Sequence, residues 1–78
     1  MELKKVTSSH LDMVGYDAIN LTMMVRFKTG DIYEYSGVDE RTYNDLMTAP
    51  SVGQYFTKYV KNRYSYRKIG SDKDMLKI

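Results

Sequence analysis

Cationic and aromatic side chains are interleaved in one stretch of the chain, residues 55–68 (YFTKYVKNRYSYRK). Cationic groups neutralise the phosphates of a nucleic acid, and aromatic rings stack on bases that are not paired. Residues 54–68 contain five basic residues and no acidic one, whereas residues 1–53 contain five basic and eight acidic residues. This pattern is typical of a protein that binds RNA or single-stranded nucleic acid. The candidate contact residues are Lys58, Tyr59, Lys61, Arg63, Tyr66, Arg67 and Lys68.

The same stretch has two other interpretations that the residues leave open. Phe56, Val60 and Tyr64 recur at helical spacing, so they would form the buried stripe of an amphipathic helix. Lysines on the opposite side of that helix would then be an ordinary solvated surface. Alternatively, the surface would bind a protein partner.

The sequence contains no residue pattern that indicates an enzyme. His10 is the only histidine and there is no cysteine, so a nucleophile with its base or a thiolate metal site is not recognisable. Asp72 and Asp74 resemble part of a calcium loop, but the glycine and closing glutamate of such a loop do not follow. We therefore expect a non-enzymatic protein without catalytic residues, bound metal or cofactor.

Length and composition predict one small domain. The chain has 78 residues and a formal net charge of +2, which is too small to indicate an anionic partner by itself. No apolar run approaches the roughly 20 residues that cross a bilayer, and the first residues lack the apolar centre of a signal peptide. We expect a cytoplasmic protein that does not contact membranes. The oligomeric state is not indicated.

A β-hairpin with one apolar face is predicted for residues 21–35. Apolar and other residues alternate from 21 to 27, and Gly30 separates this run from a second one rich in β-forming residues. A two-residue loop would bury Glu34, which is costly without a partner. A three-residue loop instead turns Glu34 outward, buries Tyr33 and Tyr35, and gives Gly30 the left-handed conformation that glycine tolerates. We expect the three-residue loop.

Another strand and two helices flank this hairpin. Residues 11–16 (LDMVGY) form the first predicted strand, although the face on which Tyr16 lies is not determined. Asp39 is a suitable N-cap for a first helix, which Pro50 ends because proline denies the preceding turn a hydrogen bond. Ser51 begins a second helix with the capping-box spacing S-x-x-Q, and this helix is expected to end near residues 62–64.

Together these elements predict an α+β fold: a three-stranded antiparallel β-meander covered on one face by two short C-terminal helices. We expect a single domain over residues 1–69, in which residues 64–69 return as an extended edge segment. Residues 1–9 form either a short strand or an arm. Residues 70–78 are expected to be a flexible C-terminal tail.

A set of residues spread over about residues 8–64 resembles a known family. In chain order they are Ser8, Ser9, Leu11, Val14, Gly15, Tyr16, Asp17, Leu21, Met23, Val25, Phe27, Gly30, Tyr33, Glu34, Tyr35, Val38, Tyr43, Leu46, Ser51, Gly53, Tyr55, Phe56 and Tyr64. In type and order they resemble the KTSC domain. That family occurs at the C-terminus of some lysyl-tRNA synthetases and as small standalone proteins. The sequence departs from its pattern at Asp39, where the family usually has proline, and at Thr57, where it usually has asparagine.

The resemblance implies a small domain that supplies no catalytic residues. Its association with the synthetase has suggested RNA binding for the family. The leading hypothesis is therefore a non-enzymatic RNA-binding or single-strand-binding module. The alternative is a protein-protein interaction module, such as a phage or bacterial regulatory or inhibitor protein.

Overall fold

The structure is a computed structural model, and it describes residues 2–71. In this part of the chain one antiparallel sheet of five strands follows the order of the sequence, with two helices inserted before the last strand. The elements are β1 (Leu3–Lys5), β2 (Leu11–Asp17), β3 (Thr22–Phe27), β4 (Asp31–Ser36), α1 (Glu40–Thr48), α2 (Val52–Tyr59) and β5 (Ser65–Ser71). The α+β class with two helices is confirmed.

The prediction of three strands was wrong, because neither edge strand, β1 or β5, has the alternation of apolar and polar residues that indicates a strand. β1 has three residues, of which two are exposed. β5 has five exposed residues in a row, so no alternation of apolar and polar residues marks it as a strand. β5 also includes Gly70 and Ser71, which extends it two residues into the segment expected as a tail. The remainder of that segment, residues 72–78, lies outside the described residues.

The predicted register of the central hairpin is confirmed. Met23 pairs with Tyr35 and Val25 pairs with Tyr33, as a three-residue loop requires. Gly30 has φ 95°, and its N–H donates to the carbonyl of Phe27 at 2.9 Å. Tyr35 is consequently buried on the face that the helices cover, and Tyr33 beside it is half-buried.

The predicted N-caps of the two helices are also confirmed. The Asp39 carboxylate accepts from the Thr42 N–H at 2.9 Å, and the Ser51 hydroxyl accepts from the Gln54 N–H at 3.3 Å. α2 ends at Tyr59, earlier than the sequence predicts. The N–H groups of Val60 and Lys61 both bond to the carbonyl of Phe56, which turns the chain toward β5.

One hydrophobic core lies between the sheet and the helices. Its buried members come from three strands, both helices and the segments that follow β4 and α2; they are Leu11, Val14, Met23, Val25, Tyr35, Val38, Leu46, Phe56 and Val60. Tyr16 also faces the helices: its hydroxyl donates to the carbonyl of Val38 at 2.6 Å, and its ring stacks on Tyr43. Within residues 2–71, no helix has the length and apolar character needed to cross a membrane.

Candidate functional site

A cavity of about 340 Å³ opens between the end of α2 and strands β3 to β5, on the face of the sheet that the helices cover. We call it the aromatic cavity, because six ring-bearing residues line it: His10, Phe27, Tyr33, Tyr35, Phe56 and Tyr66. The polar lining residues are Thr29, Asp31, Thr57, Lys61 and Asn62. Ligand sites are commonly concave and apolar with a few placed polar groups, and this cavity has that composition.

The floor of the aromatic cavity belongs to the hydrophobic core. Phe56 is 1% exposed and Tyr35 is 3% exposed. The Phe56 ring contacts Tyr35 edge to face at 5.5 Å between centroids, and it contacts Phe27 in the same way at 5.6 Å. Such edge-to-face arrangements are favourable for aromatic pairs. The rings of the floor are therefore closely packed against one another without a ligand.

Tyr66 forms a wall of the aromatic cavity that remains largely open to solvent. The pairing of β4 with β5 sets Tyr66 opposite Tyr35. The centroid of its ring lies 5.6 Å from that of Tyr35 and 5.8 Å from that of Tyr33. Because β5 is at the edge of the sheet, no further strand among the described residues covers Tyr66, and 59% of the residue is exposed. An exposed ring beside a packed aromatic floor can stack on a flat ligand.

Polar side chains lie around the rings of the aromatic cavity. Lys61 is exposed in the turn that follows α2. Asp31, at the start of β4, forms an ion pair with the Lys68 ammonium at 3.4 Å and accepts from the Thr29 hydroxyl at 3.3 Å. The Thr57 hydroxyl donates to the carbonyl of Gly53 at 2.9 Å.

The tyrosine in the floor remains protonated to high pH. Burial raises the pKa of Tyr35 to about 12, and the neighbouring phenols of Tyr33 and Tyr66 act in the same direction. Near neutral pH the floor therefore carries no charge that would repel an anionic ligand.

A second cavity, of about 380 Å³, adjoins the aromatic cavity beside α2. The two cavities share His10 and Thr57 in their linings, and Lys58 lines the second one. Gly53 lets α2 approach the segment before β2 closely: a Cβ there would lie 2.8 Å from both the His10 ring and the Ser8 hydroxyl. The glycine therefore fixes how near His10 stands to α2.

The structure divides the seven predicted contact residues among different surfaces. Lys61 and Tyr66 line the aromatic cavity, and Lys68 lies at its edge through its ion pair with Asp31. Lys58 and Tyr59 are on α2, away from the aromatic cavity.

Arg63 and Arg67 complete the set and lie elsewhere. Arg63 is exposed in the turn between α2 and β5. Arg67 pairs in register with Glu34, so it lies on the sheet face that the helices leave open, and its guanidinium contacts the Glu34 carboxylate at 3.2 Å. The five cations therefore do not share one edge.

Most lining residues of the aromatic cavity were not predicted from the sequence to be contact residues. His10, Phe27, Asp31, Tyr33, Tyr35 and Phe56 come from four separate parts of the chain. The predicted hairpin register already placed Tyr33 and Tyr35 on the helix-covered face. The missing signal was the pairing of β4 with β5, which brings Tyr66 to them across an intervening pair of helices.

Comparisons with known proteins assign the chain to a family. The model of the KTSC domain matches residues 7–64. A crystal structure of a KTSC domain protein from Yersinia pestis is similar, with a TM-score of 0.86 and 35% identity over 88% of this chain and 97% of that one.

Two further relatives differ greatly in size. A lysine–tRNA ligase of Trichormus variabilis is 33% identical over 67 residues, which are 86% of this chain but 12% of the ligase. A protein from Tsukamurella paurometabola is 32% identical over 62 residues, covering 80% of this chain and 92% of that protein. By its family match and its structural similarity, the chain belongs to the KTSC domain family.

Proposed function

We propose that the chain is a non-enzymatic module that binds single-stranded RNA, with an unpaired base held in the aromatic cavity. The aromatic cavity itself supports this most strongly. It combines a packed floor of rings with an exposed tyrosine wall and a lysine at its rim. Stacking on aromatic side chains contributes about 1–3 kcal/mol per base in proteins that bind single strands.

The distribution of cations supports a path for the phosphates. Lys61 lines the aromatic cavity, and Lys58 lines the second cavity that adjoins it. A strand whose base occupies the aromatic cavity would pass the shared residues His10 and Thr57 before its phosphate reaches Lys58. Arg63, exposed between α2 and β5, adds positive charge on the approach.

A relative favours RNA over DNA as the ligand. The chain is similar to a small part, 12%, of a protein named lysine–tRNA ligase. That name says that the whole relative acts on transfer RNA. A module that contacts RNA would serve such an enzyme, and it would serve equally well as part of a smaller protein.

The test is fluorescence anisotropy with labelled single-stranded RNA and DNA oligonucleotides at several salt concentrations. Each lost phosphate contact should lower the slope of log K against log salt by about 0.7. Lys58→Ala combined with Lys61→Ala should therefore reduce the slope by about 1.4. The matched control is Lys4→Ala combined with Lys5→Ala on β1, at the opposite edge of the sheet, which should leave the slope unchanged.

Absence of binding by the wild type at about 50 mM salt, where phosphate contacts are strong, would contradict the proposal. The cations around α2 would then be explained better as a solvated surface or as a docking surface for an acidic protein.

A further inference from the structure

We infer that the aromatic cavity selects guanine among the four bases and that the Asp31 carboxylate is the group that reads it. The inference rests on the proposed function, because it concerns which base enters the cavity. The observation that carries it is an acidic side chain in a cavity otherwise suited to an anionic polymer. Asp31 is the single acidic residue among the described residues that line the aromatic cavity.

Neighbouring side chains hold the Asp31 carboxylate in place. One oxygen faces the Lys68 ammonium at 3.4 Å, and the other accepts from the Thr29 hydroxyl at 3.3 Å. The side chain is 35% exposed, so its carboxylate has these two contacts and is still open to a ligand. A carboxylate offers about four acceptor positions, and these two contacts leave both oxygens with a further one.

The chemistry of a carboxylate determines which part of a nucleotide can approach it. A carboxylate repels a phosphate and accepts hydrogen bonds from N–H groups, so the base edge rather than the backbone must lie at the Asp31 end of the cavity. The phosphates would then lie near Lys61 and in the second cavity, which Lys58 lines. The charges thus orient the nucleotide along the cavity.

Guanine is the base whose edge fits two carboxylate oxygens. Its ring N1–H and its 2-amino group are adjacent donors that point the same way, which permits two parallel hydrogen bonds. Adenine and cytosine each present an amino group next to a ring nitrogen acceptor, and uracil presents one N–H between two carbonyl oxygens. In those three bases, an acceptor faces the second carboxylate oxygen and weakens the contact.

The experiment uses short oligouridine RNAs that carry guanosine, adenosine, cytidine or a further uridine at the central position. Anisotropy should show the guanosine oligonucleotide binding about tenfold more tightly than the others, as expected for a two-bond contact with a base. An oligonucleotide with central inosine lacks only the 2-amino group, so it should bind several-fold more weakly than the guanosine one. This comparison requires no change in the protein.

Asp31→Asn should reduce the preference for guanosine, because an amide has one acceptor oxygen where the carboxylate has two. Asp45→Asn, on an exposed part of α1, is the matched control and should preserve the preference.

Equal affinity for the four oligonucleotides, or equal affinity for guanosine and inosine, would overturn the inference and leave single-strand binding intact. Failure of every oligonucleotide to bind would overturn the proposed function as well. The ranking by the wild-type protein decides between these outcomes even if Asp31→Asn does not fold.

Discussion

The two sides of α2 have similar compositions and different geometries. On the side toward β5, Tyr66 stands over a buried aromatic floor beside a cavity of about 340 Å³. On the side toward α1, the rings of Tyr55 and Tyr59 lie 4.7 Å apart, and the Lys58 ammonium lies 5.3 Å from the centre of the Tyr59 ring. Tyr59 and Tyr66 are both exposed, at 40% and 59%.

This difference shows that a similar composition does not give a similar arrangement of rings. The ring of Tyr59 contacts a neighbour from its own helix, and the ammonium near it comes from that helix too. Tyr66 meets rings that come from another strand. We therefore propose base binding for the β5 side of α2 and only a supporting role for the α1 side.

The largest expected effect is on stability. It concerns the buried floor of the aromatic cavity, which lies only on the β5 side of α2. Phe56→Ala should lower the free energy of unfolding by about 3–5 kcal/mol, because it removes a fully buried ring from the core. Tyr59→Ala, on the exposed side of the same helix, should change it by less than about 1 kcal/mol. Chemical denaturation followed by circular dichroism measures both. Similar losses for the two variants would show that the floor is not part of the core.

A smaller loss is expected at the close approach between α2 and His10. Gly53→Ala should destabilise the protein by about 1–2 kcal/mol, because its Cβ would meet the His10 ring and the Ser8 hydroxyl at 2.8 Å, an overpacking cost that the better helix propensity of alanine offsets in part. The nearby substitution Gln54→Ala, at an exposed position of the same helix, is the control. Thermal unfolding gives the difference. Unchanged stability in Gly53→Ala would mean that His10 does not pack as the structure shows.

The smallest expected effect is on the pH dependence of stability. It concerns the buried phenol of Tyr35, in the floor of the aromatic cavity. The pKa of Tyr35 is raised from 10.0 to about 12 in the folded protein, so folding favours the protonated phenol. The contribution of the protonated Tyr35 phenol to the free energy of unfolding should be complete below about pH 10. It should be lost as the pH rises toward about 12. Tyr35→Phe should make unfolding less sensitive to pH in this window. Equal alkaline sensitivity of the wild type and Tyr35→Phe would contradict the raised pKa.

Much of this fold could be predicted because its signals are local. Glu34 determines the hairpin register, since the alternative buries a carboxylate. Asp39, Pro50 and Ser51 mark helix ends through contacts with residues a few positions away. β5 was predicted only as an extended edge segment over residues 64–69 and was not counted as a strand of the sheet, since an edge strand with five consecutive exposed residues has no periodic pattern.

The candidate site was predicted in part for the same reason. Lys61 and Tyr66 were identified from composition, and both line the aromatic cavity. Arg67 has the same composition signal, but strand alternation turns it to the opposite face, where it pairs with Glu34. Asp31 and Tyr33 join the site through pairing between strands more than 30 residues apart in sequence, and such a contact has no local signal.

The central claim is that the β5 side of α2 holds a base, and the matched tyrosines test it most directly. Anisotropy with a labelled single-stranded RNA should show Tyr66→Ala binding weaker by about 1–3 kcal/mol, with an unchanged salt slope, because a stacked base is lost and phosphate contacts remain. Tyr59→Ala should bind nearly as tightly as the wild type. Circular dichroism would check that both variants fold. Equal losses for the two variants, or a larger loss for Tyr59→Ala, would contradict the account.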